Sequence, residues 1–322
     1  MNNEAVEAAG KALLGAKSIV LVAHVRPDGD AIGSVLGLGR ALEDAGKKVQ
    51  MVLTDGVPDN LKHLPGADRV RPYAEPGWDL LVSLDCSDPR RFGPAFDPTT
   101  VPDINIDHHV TNLNFGRINL VDAKSVATTA ILVELIPAWG LEIRQPAASA
   151  LLTGMITDTL GFRTPNMTSH AMQLAGRLMD LGAPLPELYR RALIERSLEA
   201  TRLWGEGLGT IEQDGRIIWA TITLDARERA GYPGLDDAEM ISVISGIRDH
   251  DIFLVFSEQP YGEVKVSWRA SPGHDVSNVA LDFGGGGHPA AAGATIKGDL
   301  EHVKRLVLEA TERLALVSEP EG

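Results

Sequence analysis

Apolar runs that end abruptly on Asp or His constrain this chain most. Residues 18–23 lead into His24-Val25-Arg26-Pro27-Asp28-Gly29-Asp30, residues 80–84 into Asp85, and Ile104-Asn105-Ile106 into Asp107-His108-His109. A fourth group, Thr157-Asp158-Thr159, closes an apolar stretch of helical spacing. Short apolar runs read as strands buried on both faces, and 31–45 between two of them has the helical period. This alternation predicts an α/β fold with a doubly wound, mostly parallel sheet, whose ligands sit at the carboxyl ends of the strands. His24, Asp85 and Asp107 all occupy that position.

The same reading gives a strand over 48–53 and helices over 126–139, 147–156 and 169–181, the last stopped by Gly182. Residues 1–17 read as an acidic amphipathic helix and not a signal peptide. A helical stretch over 183–202 looks like a connector. Beyond it the texture changes: 216–224, 251–258 and 263–271 are strand-like, 237–247 and 276–283 helical, and 300–316 a final amphipathic helix. A smaller α/β domain with a mixed sheet is expected there. The expected boundaries are a metal-holding domain over 1–183, a helical linker over 184–204 and a second domain over 205–322.

Composition narrows the function classes. The chain has 322 residues, 44% of them hydrophobic, which suits a globular protein of one large or two ordinary domains. Thirty Lys and Arg against 44 Asp and Glu leave a formal charge of −14. An acidic balance argues against a duplex DNA partner, which needs a basic face, but not against short phosphate-bearing substrates held by metals. The single cysteine, Cys86, excludes an intrachain disulfide and fits a cytoplasmic location. No stretch approaches the roughly 20 apolar residues of a membrane span.

His24, Asp28, Asp30, Asp85, His108 and Asp158 together offer the carboxylates and imidazoles that a pair of divalent ions needs. Mixed N and O donors suit Mn2+, with Mg2+ or Co2+ as substitutes. Two such ions roughly 3.5–4 Å apart can clamp a phosphoryl group and activate a water. Each cluster also has a plainer reading. Asp28-Gly29-Asp30 is turn chemistry. Asp85 could cap a following helix, in competition with Ser87 and Asp88. His108-His109 could be a hydrogen-bonded pair, and 157–159 a helix end. Recurrence of all four at one edge of a sheet favours the metal reading.

HVRPDGDAIGS, SLDCSD, NIDHH and TGMITDT resemble, in order, the four motifs of the DHH phosphoesterases, over most of residues 18–180. KVSWRAS at 265–271 and FGGGGHPAAAG at 283–293 resemble the DHH-associated C-terminal domain. The most similar subgroup is the stand-alone nano-RNase and pAp-phosphatase enzymes. The resemblance implies a two-metal phosphoesterase with His24, Asp28 and Asp85 on one Mn2+, and Asp30, Asp85, His108 and Asp158 on the other. Asp85 would bridge the ions, His109 would face the substrate, and Asp107 would orient the motif.

The resemblance assigns the nucleotide part of the substrate to Arg269, Gly286, Gly287 and His288. A glycine run lets backbone approach a ligand, and arginine can grip a phosphate with two parallel bonds. SWRAS departs from the family's SLRS-like string, and strand alternation places Trp268 in the core, opposite Arg269. The expected substrates are short RNA, linear dinucleotides and 3′-phosphoadenosine 5′-phosphate (pAp), with cyclic di-AMP as an alternative. A manganese pyrophosphatase is disfavoured by the FGGGGH string, a processive exonuclease by the short acidic chain, and a non-catalytic nucleotide sensor by the complete ligand set. A homodimer is expected from the resemblance and from apolar helices such as 126–135.

Overall fold

The structure, a computed structural model, describes residues 2–317, with side chains described through residue 313. Met1 and residues 318–322, at the outer ends of the two expected domains, lie outside the described residues. The chain divides into two compact units at Glu195/Arg196.

The first unit runs α1 (Asn3–Gly15), β1 (Ser18–Val22), α2 (Gly29–Asp44), β2 (Lys48–Val52), β3 (Leu80–Leu84), β4 (Ile104–Asp107) and β5 (Ile118–Val121), then α3 (Thr128–Ala138), α4 (Gln145–Asp158), α5 (Ser169–Asp180) and α6 (Leu185–Tyr189). Its sheet is parallel throughout, in the order β2-β1-β3-β4-β5. Every residue of β3 and β4 is buried, as strands covered on both faces require. The strand order reverses beside β1, so the crevice between the ends of β1 and β3 is the switch point where such sheets bind ligands. The sequence pattern does not mark β5, because only Leu120 among its four residues is buried.

Glycines set the approach of α2 to α4. A Cβ at Gly29 would meet Thr157 Oγ1 at 2.3 Å, one at Gly33 would meet Ala150 O at 2.5 Å, and one at Gly37 would meet Leu151 Cδ2 at 2.6 Å. Spaced four apart, these residues form one stripe along the helix. Without it the two helices would stand further apart, and the start of α2 could not share a site with Asp158 at the end of α4.

Between the units, α6 continues as one π-helical turn, Arg190–Ile194, before α7 (Leu198–Leu208) begins with Ser197 as its cap. Leu188 and Ala192 pack in the core of the first unit, and Ala200 and Leu203 in that of the second.

The second unit continues with β6 (Glu212–Asp214), β7 (Ile217–Ile222), α8 (Leu224–Ala230), α9 (Met240–Ile244), β8 (Ile252–Gln259), β9 (Glu263–Ala270), α10 (Ser277–Asp282), β10 (Gly286–His288), β11 (Ala291–Lys297) and α11 (Leu300–Val317). Its sheet is mixed, in the order β10-β11-β9-β8-β7-β6, with β7 and β8 parallel and the other pairs antiparallel. Trp268 is fully buried, in the layer that includes Val303 and Val307 of α11. Leu224, expected at the end of a strand, starts α8, because Thr223 Oγ1 accepts the N–H of Ala226 at 3.0 Å and caps a helix there. The helix expected over 237–247 shortens to α9, since Ala238 and Glu239 take left-handed φ of 49° and 62°.

The apolar residues of α3 are core: Ala130, Ile131, Leu132, Val133 and Leu135 are all buried. The apolar content of that helix is therefore used inside the first unit. Among the described residues no helix is long and apolar enough to cross a membrane.

Candidate metal centre

β1 delivers His24, which is buried, with Nδ1 against Val25 O at 2.9 Å and Nε2 turned to the crevice. The next loop is held from outside. Val25 N–H donates to Arg91 O at 2.7 Å and Arg26 N–H to Asp55 Oδ2 at 2.6 Å. Asp28 then serves two purposes. Its Oδ1 caps α2, accepting from the N–H groups of Asp30 and Ala31 at 3.0 and 3.1 Å, while Oδ2 lies 3.9 Å from His24 Nε2. The turn reading and the ligand reading therefore each take one oxygen of the same carboxylate.

Asp30 is 1% exposed and gripped by the start of α3. Thr128 N–H donates to its Oδ2 at 2.6 Å, and Thr129 donates to its Oδ1 through N–H at 2.9 Å and Oγ1 at 2.6 Å. These are orphan donors of a helix N-terminus, where negative charge is favoured. Thr128 Oγ1 also donates to Asp85 Oδ1 at 3.0 Å. No sequence motif points to either threonine.

Asp85 follows β3 with φ of 53°, a left-handed backbone that costs a non-glycine residue on the order of 1 kcal/mol. It caps no helix: Asp88 does that, accepting the N–H of Arg90 at 2.9 Å. Asp85 is 1% exposed, and its Oδ2 receives no hydrogen bond among the described residues, with His24 Nε2 standing 3.5 Å away. A buried carboxylate oxygen without a donor is costly unless a cation occupies its free side. Cys86, next in sequence, is buried, and its thiol is pushed up to about 12 by burial, which leaves it inert.

His108 Nε2 lies 3.5 Å from Asp158 Oδ2, 3.7 Å from Asp85 Oδ1 and 3.9 Å from Asp30 Oδ2. Asp107 points elsewhere. Its Oδ1 accepts His108 N–H at 2.8 Å and bonds His109 Nδ1 at 2.7 Å, and its Oδ2 accepts Asn112 Nδ2 at 2.5 Å. Asp107 is thus a fully satisfied buried group that aims His109, and Asn112, which no sequence motif marks, steadies it.

Three groups of donors gather within 4.8 Å: His24, Asp28 and Asp85; Asp30, His108 and Asp158; and Asp85, His108 and His109. The electrostatics carry the mark of a cation site. Burial raises Asp30 well above the ordinary carboxylate range, and the charges of Asp85 and Asp158 add to it. Burial raises Asp158 to about 7, helped by Asp85 and Asp28 and opposed by His108. Burial also opposes ionisation of Asp85, but His24, His108 and His109 outweigh it and hold that carboxyl low. Burial disfavours charge on His109, yet the Asp107 bond and the charges of Asp85, Asp107 and Asp158 raise it to about 9. Crowded carboxylates with an orphaned oxygen at their centre fit divalent cations.

In the second unit, β9 carries Arg269, half-buried, with Nη1 donating to Trp268 O at 3.0 Å. The glycine run serves the adjoining hairpin. A Cβ at Gly285 would meet Gly293 O at 2.2 Å, and one at Gly287 would meet Ala291 O at 2.4 Å. At those two positions the close backbone approach is to β11 itself. A Cβ at Gly286 would meet nothing within 4 Å, and Gly286 is half-buried while Gly287 and His288 are exposed. His288 pairs with Ala291, which on its other side pairs with Arg269, so the two flank β11 at the same register.

The DHH family N-terminal domain matches residues 18–155 and the DHHA1 domain residues 221–315. The bifunctional oligoribonuclease and PAP phosphatase NrnA of Thermus thermophilus is 37% identical over 297 residues, 91% of this chain and 88% of that protein. The protein of the same name from Bacillus subtilis is 27% identical over 87% of this chain and 89% of its own length. The crystal structure of an exopolyphosphatase-related protein from Bacteroides fragilis has a TM-score of 0.93 at 26% identity, over 99% of this chain and 98% of that one. RecJ from Thermus thermophilus in complex with Mn2+ shares the fold, with a TM-score of 0.54 at 16% identity over 98% of this chain and 54% of its own. The chain is an enzyme of the DHH family, carrying a DHH N-terminal domain followed by a DHHA1 domain.

Proposed function

We propose that this enzyme hydrolyses phosphoesters of short nucleotides, namely short oligoribonucleotides and pAp, with a pair of divalent ions of which Mn2+ fits best. The observation that carries the reading is the shared position of Asp85. One donor group, His24, Asp28 and Asp85, and a second, Asp30, His108 and Asp158, lie on either side of it, with Asp85 Oδ1 3.7 Å from His108 and Oδ2 3.5 Å from His24. A carboxylate with one oxygen toward each group is what bridging requires. Two imidazoles among four carboxylates favour manganese over magnesium. The names of the Thermus thermophilus and Bacillus subtilis relatives support the substrate class.

Bound ions would supply Lewis acidity to the phosphoryl group and lower the pKa of a water. The remaining work falls to the protein. Thr128 and Thr129 orient Asp30, and Thr128 also orients Asp85, through the bonds they donate. Asp107 fixes His109 through Nδ1, so a proton meant for the leaving oxygen is held on Nε2. In the second unit, Arg269, Gly286, Gly287 and His288 bind the nucleotide; a guanidinium and backbone N–H groups each suit a phosphate. We place the enzyme in the cytoplasm and expect it to pair as a homodimer.

A substrate panel tests this. pAp, pApA, pGpG, a five-residue RNA and cyclic di-AMP are compared by kcat/KM with Mn2+. Hydrolysis of pAp and the linear species, with the cyclic one far slower, is expected. Preference for cyclic di-AMP would overturn it.

A further inference from the structure

The second unit holds a buried carboxylate oxygen for which its fold has no use. Asp237 is 7% exposed. Its Oδ1 accepts the N–H of Glu239 at 3.2 Å and closes the turn into α9, but its Oδ2 is buried and receives no hydrogen bond among the described residues. Turn closure needs one oxygen, and an exposed Asp, Asn or Ser performs it. Burying the second oxygen costs desolvation with no structural return.

What surrounds Asp237 supplies the return. α9 packs through Ile241 and Ile244 in one layer with Phe253 and Val255 of β8. The register sets Arg269 opposite Phe253, Ser267 opposite Val255 and Lys265 opposite Ser257. Directly paired residues share a face, so Arg269 and Lys265 stand on the face that α9 covers. Charge follows the geometry. Burial works against the charged form of Arg269 and Asp237 and Glu239 work for it, while Lys265 does the same for Asp237.

The turn is braced beyond what a loop needs. Arg227 donates to Gly234 O at 2.6 Å and Asp236 O at 2.9 Å, and Trp204 Nε1 donates to Ala238 O at 2.9 Å. Ala238 and Glu239, both left-handed, are two successive non-glycine residues kept in a disfavoured backbone, a pattern found where strain serves a site.

We propose that Asp237 is a positioning residue for Arg269, the counter-charge on the α9 face of the sheet that orients its guanidinium for a substrate phosphate. The proposal rests on the reading of Arg269 as a substrate contact. Asp237 stands between two cations, Lys265 and Arg269, whose charges it balances, while the guanidinium donates its hydrogen bond to the Trp268 carbonyl.

A double-mutant cycle on the full chain, with pAp and Mn2+, tests it. Asp237→Asn keeps an oxygen for the Glu239 N–H and removes the charge; Asp237→Ser keeps the cap as well and replaces it where Asn fails to fold. Arg269→Ala is expected to raise KM by about a hundredfold and Asp237→Asn by about tenfold, with kcat within about twofold in each. In the Arg269→Ala background, Asp237→Asn should change KM by less than about twofold. An unchanged KM in Asp237→Asn, or the same rise with and without Arg269, overturns the positioning role while the effect of Arg269→Ala stands. If Arg269→Ala itself leaves KM unchanged, the substrate contact falls, and the positioning role with it.

Discussion

Asp107 and His109 are joined by a 2.7 Å bond between Oδ1 and Nδ1, and Asp107 offers nothing to the metal-binding groups beside it. This separates the buried aspartate that aims a histidine from the aspartates that form the candidate cation groups, although the two kinds alternate along the same sheet edge. Replacement of Asp107 by Asn removes the charged hydrogen-bond partner that, with Asp85 and Asp158, raises His109 to about 9. We expect kcat to fall by about 10²-fold, in the range of a lost general acid. Steady-state kinetics with pAp checks this, and an unchanged kcat counts against His109 as a proton donor.

Thr129 bonds Asp30 through both its N–H and its hydroxyl. Thr129→Val keeps the backbone donor and the side-chain shape. Mn2+ affinity should weaken by about 10–100-fold, the usual consequence of removing a group that orients a ligand. Calorimetric titration with Mn2+ is the measurement.

Proton competition gives a pH signature. In the metal-free protein Asp158 lies at about 7, mainly through burial, and Asp30 is raised in the same direction. A carboxyl raised in the folded state binds more protons there than in the unfolded chain. Metal-free stability should therefore fall as pH rises from the ordinary carboxylate range toward about 7. Divalent ions need the ionised form, so affinity should rise across the same window with proton release. Calorimetry at about pH 5.5 and about pH 7.5, in buffers of different ionisation enthalpy, reads both effects.

Two glycines on helices should respond in opposite directions. Gly33→Ala places a Cβ 2.5 Å from the Ala150 carbonyl, a backbone atom with little freedom to move, and should cost about 1–3 kcal/mol. Gly176 in α5 has nothing within 4 Å of an added Cβ, so Gly176→Ala should stabilise by roughly 0.5–1 kcal/mol. Urea unfolding of the two variants beside the wild type checks both signs.

Strand ends and acidic groups are legible in the sequence because both are local: an apolar run of about five residues stops at a charge. The sequence alone marks His24, Asp28, Asp30, Asp85, His108 and Asp158 as candidate ligands, and the fold gathers them in one crevice. It does not mark Thr128 and Thr129. Their bonds reach Asp30 across 98 and 99 positions, and nothing nearby in the chain signals them. The glycine run at 284–287 is legible as a motif, but two of its glycines answer to the β11 backbone, a contact that only the folded hairpin reveals. Asp237 has the sequence setting of an ordinary turn residue, and only its buried second oxygen sets it apart.

Asp85→Asn tests the central claim most directly, because Asp85 turns one oxygen toward His24 and the other toward His108. Mn2+ stoichiometry and pAp turnover are measured on the same sample. The account predicts that binding of the second ion and turnover are lost together, with the fold intact by circular dichroism. Two tightly bound ions and near-normal turnover in Asp85→Asn would contradict it.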